Sequence, residues 1–534
     1  MKIGLEVHFQ LDVDKKLFCE CSTSLKEKNP IKTIVRKLHP VESELSEIDV
    51  ATKYEFLRDR VFVYEVFENE CCEVETDEEP PHSINKEALK IALQIAMLFN
   101  CYIPSELHVM RKIVTDGSNV SGFQRTLIVG VNGHFFYKDK KIEVKQITLE
   151  EDAASLKSVD GNKIVYKLNR LGIPLVEIST GIIEGASPSE IAEIALTIGN
   201  ICFSTKKVKK VLGSIRQDVN ISTEYFGRVE IKGIQEIGLI KKVIEKEVER
   251  QKKLDLALPK NIKITSFLEI IGNEALKNEL KESLLAFGYD DKEVEKMFEE
   301  KTFNKKIIEF LIERANSLIE RAGEVRAADE NGNTKFLRPL PTAARMYPET
   351  DIPIIQITDE LKNEILKSLP ETLLNKEKRF LSYGMSKEIV TQILKSEYLD
   401  LFEKIIEKFK DLNKNVVANF FVSTLKDLKR REGLRIENLD ENYFLDLFDV
   451  LNKGLIVKEA LPEIVKYSIL NNKSVKEAID ELNLKKMSFE EVKAFVKDIV
   501  EKTKISDKKK IFSIVVKEIR LKCDIEDIKK ALDF

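Results

Sequence analysis

Tryptophan is absent from this chain, and cysteine is scarce, at seven in 534 residues. No apolar run approaches the ~18 residues that a bilayer-crossing helix needs, and no leader-like segment opens the sequence. These absences exclude a disulfide-stapled secreted domain and lead to the expectation of a reduced, soluble, cytoplasmic protein. Charge excess of either sign is missing too: 87 basic against 91 acidic residues leave a formal net charge of −4. Such a balance excludes generic coating of nucleic acid by the whole surface but is compatible with a local basic patch. The chain carries no amidase or asparaginase signature and no recognisable setting for a nucleophilic cysteine. Repeats and low-complexity tracts are lacking. The bias to Lys, Glu and Ile suits heat adaptation, and an AT-rich genome yields the same bias.

What is present is a 43% hydrophobic composition, ample for a core. The length suits about three domains of ~100–200 residues each. Residues 3–11 alternate strictly. Ile3, Leu5, Val7, Phe9 and Leu11 face one side of a strand, and Glu6, His8 and Gln10 face the other. The same habit recurs where Asp218, Asn220 and Ser222 oppose Val219 and Ile221, and where Arg228, Glu230 and Lys232 oppose Val229 and Ile231. Strands of this kind sharing one sheet would give an apolar floor for helices. Their other face would be a platform of carboxylates, bases and amides, suited to metal-assisted chemistry on an anionic substrate.

The first 265 residues mix strands with helices without regular βαβ alternation, which predicts an α+β domain. Ser187-Pro188-Ser189-Glu190 reads as a capping box opening a helix through Ile198. Residues 266–325 turn Glu/Lys/Leu/Ile-rich and helical in period, as an insertion would. The prolines of Phe336–Pro341 and Tyr347–Pro353 exclude helix interior and predict an ordered extended loop, so 326–359 is read as a return to the first domain. Beyond this the chain is helical, and Gly454 and Pro462 mark a break between a helical domain (360–454) and a Lys-rich C-terminal tail domain (455–534).

Two segments carry candidate chemistry. Asp116 to Arg125 is a Gly/Ser/Asn loop flanked by Arg111, Lys112 and Arg125. Ser118, Asn119, Ser121 and Gly122 would let backbone amides approach a phosphate, with the guanidinium groups neutralising charge. It is not a P-loop, because no Lys-Ser/Thr follows the second glycine. Glu150, Glu151 and Asp152 end an alternating stretch, and Glu177 interrupts the apolar run Ile173–Ile178. A carboxylate placed there needs a partner or a metal. Glu6, His8, Glu150, Glu151 and Glu177 are therefore candidate metal ligands, with alternation favouring Glu150 over Glu151 on the polar face. Cys19 and Cys21, and Cys71 and Cys72, pair along the chain without the C-x₂₋₄-C spacing of a structural zinc site, so tolerated thiols are the expectation.

Gly4-Leu5-Glu6-Val7-His8, Lys16-Leu17-Phe18-Cys19-Glu20-Cys21 and Leu168-Asn169-Arg170-Leu171-Gly172-Ile173-Pro174 resemble signatures of the GatB/GatE family. Ser43-Glu44-Leu45, Asp77-Glu78-Glu79-Pro80-Pro81, His108–Val114, Ile215–Asn220 and Ala343–Asp351 are similar to its archaeal branch. The resemblance implies a glutamine-synthetase-like catalytic cradle followed by all-α helical and tail domains that meet tRNA. It implies a ligase using ATP and Mg²⁺. That enzyme phosphorylates the glutamyl γ-carboxylate of misacylated Glu-tRNA(Gln) and amidates it with ammonia from a partner glutaminase, GatD, in a heterodimer or heterotetramer. Arg170, Asp218 and Glu230 would then orient substrate or metal beside catalytic Glu6, His8 and Glu150. The family's archaeal insertion, similar to one in bacterial aspartyl-tRNA synthetases, is larger than residues 266–325 can hold, so a reduced helical remnant is expected. The second cysteine pair of zinc-binding bacterial relatives has no clear counterpart. A different class of function, a non-catalytic tRNA-binding scaffold, is disfavoured by the intact carboxylate platform.

Overall fold

The computed structural model describes residues 1–534 apart from 27, 28, 43–45, 261, 342–345, 506, 533 and 534. Of the family-like motifs, Ser43-Glu44-Leu45 and the Ala343-Ala344-Arg345 portion lie outside the described residues. The chain divides into two compact units, Met1–Thr372 and Leu373–Phe534.

The strands of the first unit are β1 (Lys2–Gln10), β2 (Lys32–Arg36), β3 (Val61–Val66), β4 (Glu106–Leu107), β5 (Val109–Ile113), β6 (Phe123–Tyr137), β7 (Lys140–Glu151), β8 (Ser155–Asp160) and β9 (Lys163–Lys167). They continue as β10 (Pro174–Thr180), β11 (Ile183–Glu184), β12 (Ile215–Ser222), β13 (Val229–Ile234), β14 (Glu324–Ala328), β15 (Thr334–Pro339), β16 (Met346–Pro348) and β17 (Ile355–Gln356). Eleven of them form one sheet in the order β15-β14-β13-β12-β1-β10-β7-β6-β5-β16, with β11 paired to β1. A smaller sheet runs β2-β3-β9-β8. The unit is α+β, as the mixed sequence pattern predicts.

The apolar residues of β1 lie in one core with Ile147, Val176, Ile178, Val219 and Ile221 of neighbouring strands. Helices Lys86–Leu98, Pro188–Phe203 and Ile237–Ala257 supply the other side of that core. Each such side chain stabilises the fold by roughly 1.5–3 kcal/mol when buried. A one-residue slip of β1 would drive Glu6 and His8 into this core, so register is strongly specified. The capping box at Ser187 and Glu190 forms as the sequence predicts, but the helix runs on to Phe203 because Ile201 and Cys202 are buried.

Residues 267–319 form four helices whose Leu276, Leu280, Leu284 and Leu311 share the core of the sheet. A buried ionic network also ties three helices to the strands that follow them. Glu324 accepts from Arg250 at 3.0 Å and from Arg326 at 2.8 Å, and Arg314 closes on its other oxygen. Arg326, 1% exposed, also donates to Glu282 and Thr334. β14 then returns parallel to β13, the crossover consisting of helix Ile237–Ala257 and the helical insertion. The proline-rich stretches are not loops throughout: β15 and β16 pair with β14 and β5, and Pro339 and Pro348 sit at their ends, where a missing N–H is tolerated. Helix Asp359–Lys367 buries Ile365 in the first unit's core, which is why that unit extends past the boundary read at residue 360.

The second unit is helical. Phe402, Phe421 and Phe448 centre a core that also takes Ile456, Val457, Leu461 and Ile464, so Gly454 (φ +66°) turns the chain without separating domains. A distinct small core begins at Val492, with Val496, Ile511, Val515 and Ile528. Among the described residues no helix is long and apolar enough to cross a membrane.

Candidate active site

The polar face of the large sheet carries a cleft of about 770 Å³. Register brings its groups together. His8 lies opposite Glu177 on one side and Arg216 on the other, and Glu6 lies opposite Asp218. His8 Nε2 is 3.2 Å from Glu177 Oε2, and its buried Nδ1 has no hydrogen-bond partner among the described residues. Burial disfavours a charged imidazole, but the hydrogen bond and charge of Glu177 outweigh it and raise the His8 pKa. Glu177, although buried, is held well below the usual carboxylate range by His8 and then Lys112. Glu150 is engaged on both oxygens, by Lys112 Nζ at 2.9 Å and Thr148 Oγ1 at 2.7 Å.

Glu6, Asp218 and Glu230 each offer an oxygen within 4.8 Å of the others. Burial, and then repulsion from Glu177 and Glu230, push the Glu6 pKa up to about 7. Lys232 answers part of this charge, reaching Asp218 Oδ2 at 3.2 Å and Glu230 Oε1 at 2.6 Å, and the Gly233 amide donates to Asp218 Oδ1 at 3.0 Å. Crowded carboxylates of this kind favour a cation among them. An all-oxygen set fits a hard ion such as Mg²⁺.

Other expected residues fall elsewhere. Glu151 points to the opposite face of β7, where its oxygens accept from the Arg125 backbone amide (3.2 Å) and guanidinium (3.4 Å). Arg125 also binds Glu349 at 2.8 Å, and Arg111 binds Glu349 and stacks 4.6 Å over Phe123. Both arginines therefore pin the segment around β16 instead of facing the cleft. Arg170 donates to the carbonyls of Ala153 (2.8 Å) and Ala154 (3.0 Å), shaping the backbone at the cleft's edge. Ser118 and Asn119 line the cleft, whereas Ser121 and Gly122 line a separate pocket beside Arg36 and Tyr347. The small sheet props this loop: Tyr64 and Tyr166 donate to the carbonyls of Gly117 and Asp116, and a Cβ on Gly117 (φ +88°) would overlap the Phe62 ring. Sequence reasoning gave no role to the cleft cations Arg216, Arg228, Lys232 and Arg338. The alternation Arg228-Val229-Glu230-Ile231-Lys232 signalled two of them, and the family-like motif Ile215–Asn220 contained Arg216.

Away from the cleft, Cys19, Cys21, Cys72 and Glu75 bring four donor atoms within 4.8 Å of one another. Hydrogen bonds from the Cys19 and Cys21 thiols lower the pKa of the Cys72 thiol. Buried Lys16 Nζ lies 3.3 Å from Glu75 Oε1, fixing that carboxylate. Three thiols and one carboxylate suit a soft divalent metal. Chain spacing hid the group, because its halves are C-x-C and C-x-x-E on segments that only the fold joins.

The family model for the GatB/GatE catalytic domain matches residues 1–363, and that for a GatB domain matches residues 400–517. A Methanocaldococcus jannaschii protein described as the E-type subunit of glutamyl-tRNA(Gln) amidotransferase is 37% identical over 577 aligned positions, covering 94% of this chain and 91% of that relative. Relatives described in the same words from Caldivirga maquilingensis and Pyrobaculum aerophilum are each 34% identical and cover 100% of this chain, and 97% and 98% of their own lengths. The 577 aligned positions exceed the 534 residues here, so the first relative carries residues without a counterpart in this chain. With its catalytic-domain match over two-thirds of its length and such identity from end to end, the chain belongs to the GatB/GatE family.

Proposed function

We propose that this chain is the kinase and amide-forming subunit of a tRNA-dependent amidotransferase, with a glutamine-synthetase-like cradle as its first unit. The observation that carries the reading is the cleft in which Glu6, Asp218 and Glu230 converge beside the His8–Glu177 pair. A carboxylate resists acyl transfer until one oxygen becomes phosphate. In the proposed reaction a γ-carboxylate oxygen of Glu-tRNA(Gln) attacks the γ-phosphorus of ATP, the β–γ bond breaks and ADP leaves. Ammonia then adds to the acyl carbon, phosphate departs and a proton is lost, giving Gln-tRNA(Gln). Glu6, Asp218 and Glu230 would hold Mg²⁺, which supplies charge neutralisation to the phosphates when bound. The Glu177 contact raises the His8 pKa and commits its Nε2, which leaves Nδ1 as the ring atom that would meet a substrate oxygen or a metal. Lys112 and Arg216 place further positive charge where the transferring group lies, and such positioning is most of what phosphoryl transfer asks of a protein. Ammonia would come from a separate glutaminase such as GatD, and the helical second unit would bind tRNA phosphates.

Given ammonium at high concentration, the purified chain alone should convert Glu-tRNA(Gln) to Gln-tRNA(Gln) with ATP and Mg²⁺, and should fail with glutamine. Turnover with glutamine by the isolated chain would overturn the division of labour.

The thiol group supports a second proposal, a structural zinc on Cys19, Cys21, Cys72 and Glu75. Elemental analysis of protein expressed with zinc should find about one ion per chain. Cys72→Ser should lose it and melt at a lower temperature. A folded wild-type chain without zinc would refute the assignment.

A further inference from the structure

Asp152 stands just behind the wall of the cleft. Its neighbour Ala153 lines that wall, and Asp152 itself is buried, at 2% exposed. Both of its oxygens are taken within the protein. Oδ1 accepts from the Ala153 amide at 2.8 Å, and Oδ2 accepts from Gln10 Nε2 at 2.6 Å. Its backbone is held as well, donating to the Ile173 carbonyl at 2.8 Å and accepting from the Gly172 amide at 3.0 Å. Arg170, committed to the carbonyls of Ala153 and Ala154, stands 3.7 Å from Oδ2. A carboxylate fixed on every side can anchor a group that is not.

That group is Arg216. Its Nη1 lies 3.6 Å from Asp152 Oδ1, and among the described residues no other acid comes within ion-pair reach of the guanidinium. Arg216 lines the cleft opposite His8 of β1, with its side chain 34% exposed. β1 and β10 stand between β12 and β7 in the sheet, so three strand spacings, roughly 14 Å, separate those two strands. The pair closes this gap across the strand ends, where Gln10 is the last residue of β1. An arginine this exposed and without a partner would sample many rotamers, and Asp152 removes that freedom.

We propose that Asp152 is a positioning residue: with Gln10 behind it, it holds the Arg216 guanidinium at the His8 wall of the cleft. The role rests on the amide-forming reading above and adds to it a residue that acts without meeting substrate. Steady-state amidation of Glu-tRNA(Gln) by the full chain, with ATP and ammonium supplied, tests it in two backgrounds. In the wild type, Asp152→Asn should lower kcat by about 10- to 100-fold, the scale of loss when a reacting group is displaced by about an ångström. KM for ATP and for Glu-tRNA(Gln) should stay within about 2-fold, as for an interaction felt in the transition state. In the Arg216→Ala background the same change should cost less than about 2-fold, because its route to the reaction is already gone. Gln10→Ala should show the same contrast on a smaller scale, and it carries the test where Asp152→Asn does not fold. Equal losses in the two backgrounds would mark a purely structural carboxylate and overturn the positioning role alone. A wild-type chain inactive with ATP and ammonium would overturn the amide-forming reading, and the positioning role would fall with it.

Discussion

Asp218→Asn should reduce ATP-dependent amidation of Glu-tRNA(Gln) by about 10²- to 10³-fold, the usual loss when one charge-stabilising group leaves such a site. Asn preserves the shape and can still accept from the Gly233 amide, so the strand register should survive. What it removes is one of three converging carboxylate oxygens: Asp218 is buried, yet Lys232, His8 and Arg216 lower its pKa. Half-saturation by Mg²⁺ should move to higher concentration, while far-UV circular dichroism and tRNA affinity stay as in the wild type. Glu151→Gln is the informative contrast. Its carboxylate is on the far face with Arg125, so it should cost stability and leave the Mg²⁺ dependence alone. If Glu151→Gln shifts the Mg²⁺ curve and Asp218→Asn does not, the oxygen group is misassigned.

Glu324→Gln should destabilise the first unit by about 3–5 kcal/mol, the cost of leaving buried cations without their partner. Glu324 is fully buried and joins Arg250, Arg314 and Arg326, and Arg314 also lies 3.9 Å over the Phe336 ring. Burial opposes its charge, but the three guanidinium groups hold its pKa far below the ordinary 4.5. A depressed carboxylate pKa stabilises the fold above the unfolded value and loses that effect as pH falls toward the folded one. Wild-type stability should therefore decline below pH 4.5, and the decline should be shallower in Glu324→Gln. Urea unfolding followed by circular dichroism measures both, since the chain has no tryptophan to report. A midpoint unmoved at pH 7 would show that the helical insertion is held by its leucines alone.

Strict alternation in β1, β12 and β13 was enough to determine an apolar floor and a polar platform, because side-chain direction in a strand depends only on parity. Parity also favoured Glu150 over Glu151, and the structure places them on opposite faces. The capping box at Ser187 was equally legible, since its contacts span three residues. Family motifs were carried by short local runs and needed no fold to be seen. Tertiary structure alone decided the rest. Glu6, Asp218 and Glu230 become one group only when β1, β12 and β13 are laid side by side, and no spacing along the chain encodes that pairing. The glycine-rich loop looked like an anion cradle until the fold drew Arg111 and Arg125 away to Glu349; the Asp116 contact to Ser118 is as local as the capping box. Gly454 looked like a domain border, yet the residues on both sides bury the same core. Local chemistry is written in neighbours along the chain, whereas sites and domain limits depend on which distant side chains share a dielectric and a partner.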